Sequence, residues 1–155
     1  EQNSPNCEEQ MNSEAAAILN DTECQLTEYF AQQRRHFDIP LDWSPGTGTN
    51  LTCPRPARQR SGHMLSAFTR QVLHGLLQID YGQRWNYGKL ATELGHPGAA
   101  RAVGSACGRN PIPIVVPCHR VVRADGSMGG YRGGGAAKRF LLRLEAASRA
   151  WTSRG

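Results

Sequence analysis

The chain has 155 residues, 39% of them hydrophobic, with 18 Lys+Arg against 13 Asp+Glu, enough for one ordinary domain or for one domain and a fragment. Its five cysteines (Cys7, Cys24, Cys53, Cys107, Cys118) are scattered and form no C-x-x-C or C-x-x-H pair, which argues against a zinc or dithiol centre and for a reducing compartment such as the bacterial cytosol. No apolar run is long enough to cross a membrane, no charged-then-apolar leader is visible, and the chain opens on Glu1 as a fragment or processed form would.

Residues 1–12 are polar and predict disorder. From Glu14 to Gln33, Ala17, Ile18, Leu26, Tyr29 and Phe30 recur at helical spacing. A break is expected at Asn20-Asp21, with Asp21 or Thr22 capping the second piece. Residues 44–66 are rich in Gly, Pro, Ser, Thr and Arg and read as a linker. From Ala67 the pattern tightens: Phe68, Val72, Leu73, Leu76, Leu77 and Ile79 fit an amphipathic helix ending near Tyr81-Gly82. A short helix over 87–94 follows, then a Gly95-His96-Pro97-Gly98 turn, then a small-residue helix from Ala99 to Cys107 that carries Arg101.

Helix, tight turn and small-residue helix is the layout of a helix-turn-helix, although an ordinary helical hairpin has the same pattern. Charge favours the first: residues 67–155 carry 13 Lys+Arg and 4 Asp+Glu, a net of +9, whereas residues 1–66 carry 5 and 9, a net of −4. Such a basic half suits a polyanion, nucleic acid first, or forms a solvated basic face.

Asn110-Pro111-Ile112-Pro113 must be extended, because residues before proline avoid the helical region. Ile114-Val115-Val116 reads as a buried strand, which Pro117 ends, lifting Cys118 onto a turn. Cys118 has His119 and Arg120 beside it, and neighbouring positive charge lowers a thiol's pKa toward the nucleophilic thiolate. On that segment alone a buried structural thiol is an equal reading. Val121-Val122 and Met128 suggest a hairpin around Asp125-Gly126. The loop Gly129–Gly135 lacks the Lys-Ser/Thr of a P-loop and suits backbone amides closing over a flat substrate. The last helix, about Ala136 to Ala147, packs Ala137, Phe140, Leu141, Leu144 and Ala147 and projects Glu145.

Together these stretches resemble the O6-alkylguanine-DNA alkyltransferases, the methylated-DNA–protein-cysteine methyltransferases. The likeness is carried by Phe68–Leu73, Tyr87–Ala91, Ala99–Gly104, Asn110-Pro111, Ile114–Val122, Gly130–Gly134, and Leu141-Leu142 with Glu145, in order and at family spacing. The resemblance implies that Cys118 takes the alkyl group, with His119 and Glu145 polarising the thiol through water. It implies that Tyr87 pushes the damaged nucleotide out and faces the base, that Arg101 fills the vacated stack, and that Asn110 holds the turn before the active-site strand. The carbonyls of Cys118 and Val121 and the backbone around Tyr131 and Arg132 would read the guanine edge; Thr69 and His96 would meet phosphates. Cys107 has no role in the resemblance and is left structural.

The implied fold is α+β and mostly helical: a winged-helix-like alkyltransferase domain over 67–151 with a helix-turn-helix. Before it come a linker or insertion over 44–66 and, at 1–43, a remnant of the family's ribonuclease-H-like N-terminal domain. That missing sheet predicts lower stability than full-length relatives. The implied activity is single-turnover repair of O6-alkylguanine in double-stranded DNA by a monomer in the cytoplasm or nucleus, with no cofactor and no metal, leaving O4-alkylthymine open as a substrate. Three other readings compete: a lesion-binding module without chemistry, a helix-turn-helix regulator, and a Cys-His hydrolase. The first two leave Cys118 unused, and adjacent Cys and His suit the third poorly.

Overall fold

The computed structural model describes residues 7–41 and 65–152 and separates into two units, one ending at Leu41 and the other beginning at Asp42. In the first unit, α1 (Cys7–Phe30) is one continuous helix. The break expected at Asn20-Asp21 is absent, because the helix absorbs the polar side chains of Asp21 and Thr22. The Thr22 hydroxyl donates back to the Ile18 carbonyl at 2.7 Å, and Asp21 accepts from Gln25 Nε2 at 2.8 Å. The helix also reaches back through residues 7–12, where disorder was expected; residues 1–6 and the predicted linker up to residue 64 lie outside the described residues. Fully buried Tyr29 packs its ring 5.4 Å from Phe37, and buried Gln25 accepts from the Asp38 amide at 2.9 Å, which ties the return segment to the helix.

The second unit is a helical cluster around one two-stranded parallel pair. Its elements are α2 (Ala67–Leu76), β1 (Trp85–Asn86), α3 (Tyr87–Glu93), α4 (Ala100–Gly108), a 3₁₀ turn (Cys118–Arg120), β2 (Val121–Val122) and α5 (Gly134–Thr152). Ser66 caps α2 by accepting from the Thr69 amide at 3.1 Å. The regular helix stops at Leu76, and turns carry the chain through buried Ile79 and Tyr81 to Gly82. Val72, Leu73 and Leu76 are fully buried, and α2 packs against α3 and α4. Asn86 caps α3 by accepting from the Lys89 amide at 2.7 Å.

β1 pairs with β2 in parallel, Trp85 opposite Val121 and Asn86 opposite Val122. The hairpin expected between Val121-Val122 and Met128 is therefore not the pairing of that segment. A tight turn does form there, with the Arg123 amide donating to the Ser127 carbonyl at 2.8 Å, but the strand takes its partner from residues 36 positions earlier. The strand expected over Ile114-Val115-Val116 is also replaced by a turn. Ile114 has φ 80°, a left-handed conformation that costs a β-branched residue on the order of 1–3 kcal/mol. Prolines on both sides and the hydrogen bonds of Asn110 hold it there. The small-residue helix and the Gly95–Gly98 turn form where expected.

The inner stripe of α5 is Lys138, Leu141, Leu142 and Glu145. Phe140, expected in the core, is 57% exposed, because placing Lys138 and Glu145 inside turns it outward.

Candidate active site

Asn110, the first residue after the C-cap of α4, organises the turn that carries Cys118. Its Oδ1 accepts from the Ile112 amide at 3.0 Å, while Nδ2 donates to the Val116 carbonyl at 2.8 Å and to Cys118 Sγ at 3.2 Å. All of this is buried, Asn110 being 1% exposed. The 3₁₀ turn then begins at Cys118, so the thiol sits at the start of a short helical turn with its side chain 6% exposed.

Burial pushes the Cys118 thiol above its ordinary pKa; the Asn110 hydrogen bond and the positive charge of Lys138 pull the other way. His119 and Arg120 do not supply the activating charge that their adjacency in sequence suggested. Both turn inward to Glu145. His119 Nε2 lies 2.7 Å from Glu145 Oε1. Arg120 Nε reaches both carboxylate oxygens, at 3.2 and 3.0 Å, and Nη2 reaches Oε1 at 3.0 Å. Arg120 Nη1 donates to the Ile79 carbonyl at 2.6 Å, and its guanidinium lies 5.6 Å from the Tyr81 ring. The Gly82 amide donates to Glu145 Oε2 at 3.0 Å.

The electrostatics of this cluster follow from the contacts. Burial raises the Glu145 carboxyl, but the hydrogen bonds and charges of His119 and Arg120 outweigh it and bring the group down to about 2. Burial likewise lowers His119, only partly opposed by Glu145, so the ring is neutral at neutral pH. An anionic Glu145 on Nε2 places the ring proton there and leaves Nδ1 as the basic nitrogen. Nδ1 is buried and has no hydrogen-bond partner among the described residues.

Lys138 escaped the sequence reading. It is fully buried, donates to the Val121 carbonyl at 2.6 Å and lies 3.4 Å from the Gly130 carbonyl, with no carboxylate against it among the described residues. Burial lowers its pKa, and the nearby sulfurs of Cys118 and Cys107 raise it. Its position seven residues before Glu145, on the same helical stripe, was the available signal. Cys107 lines the same cavity as Cys118, and burial pushes its thiol up to about 12.

That cavity has a volume of about 860 Å³, in the range of pockets that enclose a ligand larger than a few atoms. Cys118 and Cys107 line it with Tyr87, Arg101, Tyr131 and Arg132, and Arg123 joins them. Among the described residues, no Asp or Glu lines it. Tyr87 is held edgewise between two glycines. A Cβ on Gly129, whose φ is 63°, would sit 2.8 Å from Tyr87 Oη, and one on Gly104 would sit 3.7 Å from the ring. Burial raises the Tyr87 and Tyr131 hydroxyls, Tyr131 to about 12, so both stay protonated donors at neutral pH. The Tyr131 ring lies 6.4 Å from that of His119.

The remaining predicted residues are not brought to this cavity. Thr69 is 2% exposed with its hydroxyl 2.9 Å from Ser66 Oγ. His96 is exposed at the α3–α4 turn, 3.1 Å from Gln71 Oε1 and edge-on to Phe68. The Val121 side chain is fully buried and its carbonyl is the one Lys138 holds. Among the described residues, no three His, Cys, Asp or Glu side chains are grouped to hold a metal ion.

A helical domain carries a cavity lined by two cysteines together with arginine and tyrosine side chains, with α3 and α4 contributing to its wall. Residues 67–147 match the family described as 6-O-methylguanine DNA methyltransferase, DNA binding domain, and the chain belongs to that family. It is 45% identical over 121 residues to the methylated-DNA–protein-cysteine methyltransferase of Mycobacterium tuberculosis, an alignment covering 78% of this chain and 61% of that protein. The mouse protein of the same description is 50% identical over 94 residues, which cover 59% of this chain and 44% of the mouse protein. Among solved structures, Mycobacterium tuberculosis OGT in complex with DNA is similar with a TM-score of 0.68 and 41% identity, covering 83% of this chain and 68% of that one. The mostly helical fold with a small sheet matches that structure. The chain spans about three fifths of the length of the mycobacterial relatives it matches.

Proposed function

We propose that this chain repairs O6-alkylguanine in double-stranded DNA by moving the alkyl group onto its own Cys118, once per molecule. The observation that carries the reading is the Cys118 thiol at the floor of an open cavity, backed by the buried His119–Glu145–Arg120 cluster. An alkyl group on guanine O6 lies inside the duplex, so the base must leave the stack, at a cost of a few kcal/mol. Tyr87 and Arg101, both on the cavity wall, are the side chains that crowd the nucleotide out and fill its place.

In the transfer, the sulfur attacks the alkyl carbon; the S–C bond forms as the C–O bond breaks, and the electron pair stays on guanine. Because the resting Cys118 is a protonated thiol, its proton must leave as sulfur attacks, and neutral His119 is the base that takes it, through a water. Glu145 steadies the imidazolium through Nε2, and Arg120 holds that carboxylate in place. The Tyr87 hydroxyl donates to the guanine as charge develops there, and the amides around Tyr131 and Arg132 hold its edge. Once the imidazolium has returned that proton through water to the guanine, a thiol and an alkylguanine have become a thioether and a guanine, with no cofactor in the balance.

In this reading residues 67–151 form the catalytic, winged-helix-like domain, residues 44–66 a linker and residues 1–43 the remnant of an N-terminal domain. The protein acts as a monomer wherever the cell keeps its DNA. Asn110 positions the thiol, and exposed His96 serves as an outlying phosphate contact, whereas Thr69, buried with its hydroxyl against Ser66, does not reach a phosphate. The test is intact mass after mixing with a duplex holding one O6-methylguanine, followed by peptide mapping. A gain of one methylene on the Cys118 peptide, at one equivalent, is expected. A folded protein that binds the duplex without mass change would make it a lesion-binding module instead.

A further inference from the structure

We infer that Arg123 grips a backbone phosphate of the extruded nucleotide, acting as a positioning residue that delivers the base to Cys118. The inference rests on the proposed repair reaction and adds a phosphodiester-binding group to it.

Three observations carry it. First, β1 and β2 run parallel with Trp85 opposite Val121 and Asn86 opposite Val122, so Tyr87 and Arg123 each follow directly on a residue of the last pair. Both side chains line the cavity that holds Cys118, and the Arg123 charge acts on the Tyr87 hydroxyl. Second, Arg123 is exposed and stands on the cavity rim with no salt bridge among the described residues. Asp125, whose Oδ1 accepts from the Ser127 amide at 2.9 Å, feels the Arg123 charge without forming a salt bridge to it. Third, the backbone of Arg123 is fixed at both ends of its turn. Its amide donates to the Ser127 carbonyl at 2.8 Å and its carbonyl accepts from the Gly126 amide at 3.0 Å. The guanidinium therefore starts from a rigid base, which reduces the entropy lost on binding.

A nucleotide whose base reaches the cavity floor has to leave its two phosphates at the mouth. Arg101, on α4, stands on one wall; Arg123, on the β2 turn, approaches from another element, and among the described residues no carboxylate lines the cavity to compete with a phosphate. A planar guanidinium suits bidentate binding of phosphate oxygens. Placed beside Tyr87, it would pull on the backbone that the tyrosine pushes.

The experiment compares two substrates with the full chain: a duplex holding one O6-methylguanine, and free O6-benzylguanine, which has no phosphate. Rates of Cys118 alkylation are read by mass for the wild type, Arg123→Ala and Arg123→Lys, and duplex affinity is titrated against salt. For Arg123→Ala, the duplex-to-free-base rate ratio should fall about tenfold and the slope of log affinity against log salt should drop by about 1. Arg123→Lys should recover most of the slope. A ratio within twofold of the wild type, an unchanged slope, or equal losses on both substrates would overturn the inference. If the wild type alkylates with neither substrate, it is the repair reading that fails.

Discussion

Replacing Arg120 by Met tests the claim that this cation belongs to Glu145 rather than to the thiol. Arg120 makes three of the hydrogen bonds that reach the Glu145 carboxylate, at 3.0–3.2 Å, where that side chain is 1% exposed. Breaking such a buried pair from one side costs about 3–5 kcal/mol, because the remaining charge is left uncompensated. The Ile79 carbonyl also loses its 2.6 Å donor, an overlapping loss of about 1–3 kcal/mol. Together the expected destabilisation is about 4 kcal/mol, a large part of a typical domain's stability of roughly 5–15 kcal/mol. The melting midpoint should drop by on the order of 15–30 °C. Urea or thermal unfolding followed by circular dichroism measures it. Adding Glu145→Gln to Arg120→Met should recover more than half of the loss, since a neutral amide still accepts from His119 Nε2. A loss under about 1 kcal/mol for the single variant, or a double variant that merely sums the two singles, would refute the reasoning.

Lys138→Met keeps the shape of the buried side chain but removes the positive charge that pulls the thiol's pKa down, so Cys118 should react more slowly with a small disulfide reagent at fixed pH. Each pKa unit gained is about a tenfold slowing, and an unchanged pH–rate profile would show that Lys138 acts only on the Val121 and Gly130 carbonyls. Gly129→Ala should displace Tyr87 by forcing a Cβ within 2.8 Å of its hydroxyl at φ 63°; duplex repair should fall at least tenfold while Cys118 still reacts with the small reagent. Stability should fall in acid in two stages. His119 is depressed below 6.5, so its contribution is complete above pH 6.5 and declines below it. Glu145 is depressed from 4.5 to about 2, so its contribution, on the order of 3 kcal/mol, is present above pH 4.5 and is lost as the pH falls toward 2. Glu145→Gln should flatten the lower stage in an acid titration, and a wild-type stability that stays level from pH 7 to 3 would contradict both assignments.

Local order along the chain carried most of the helices and the core of the site. The spacing of Val72, Leu73 and Leu76, the Gly95–Gly98 turn and the small residues after Ala99 dictate α2, α3 and α4 by periodicity and turn chemistry, which are properties of neighbours in sequence. The Asn110–Arg120 segment likewise marks its cysteine, because prolines and a thiol beside a histidine are legible without a partner. What neighbours could not reveal was where the charges go. Adjacency put Arg120 and His119 beside Cys118, yet both side chains turn to Glu145, 25 and 26 residues away, while Lys138 brings its charge toward the thiol from α5. The parallel pairing of Trp85-Asn86 with Val121-Val122, the left-handed Ile114 and the outward Phe140 were equally hidden. Each is a choice among locally similar alternatives, settled by burial: once a charged group leaves water it must find its partner in the folded chain, and that partner's distance in sequence is set by topology alone.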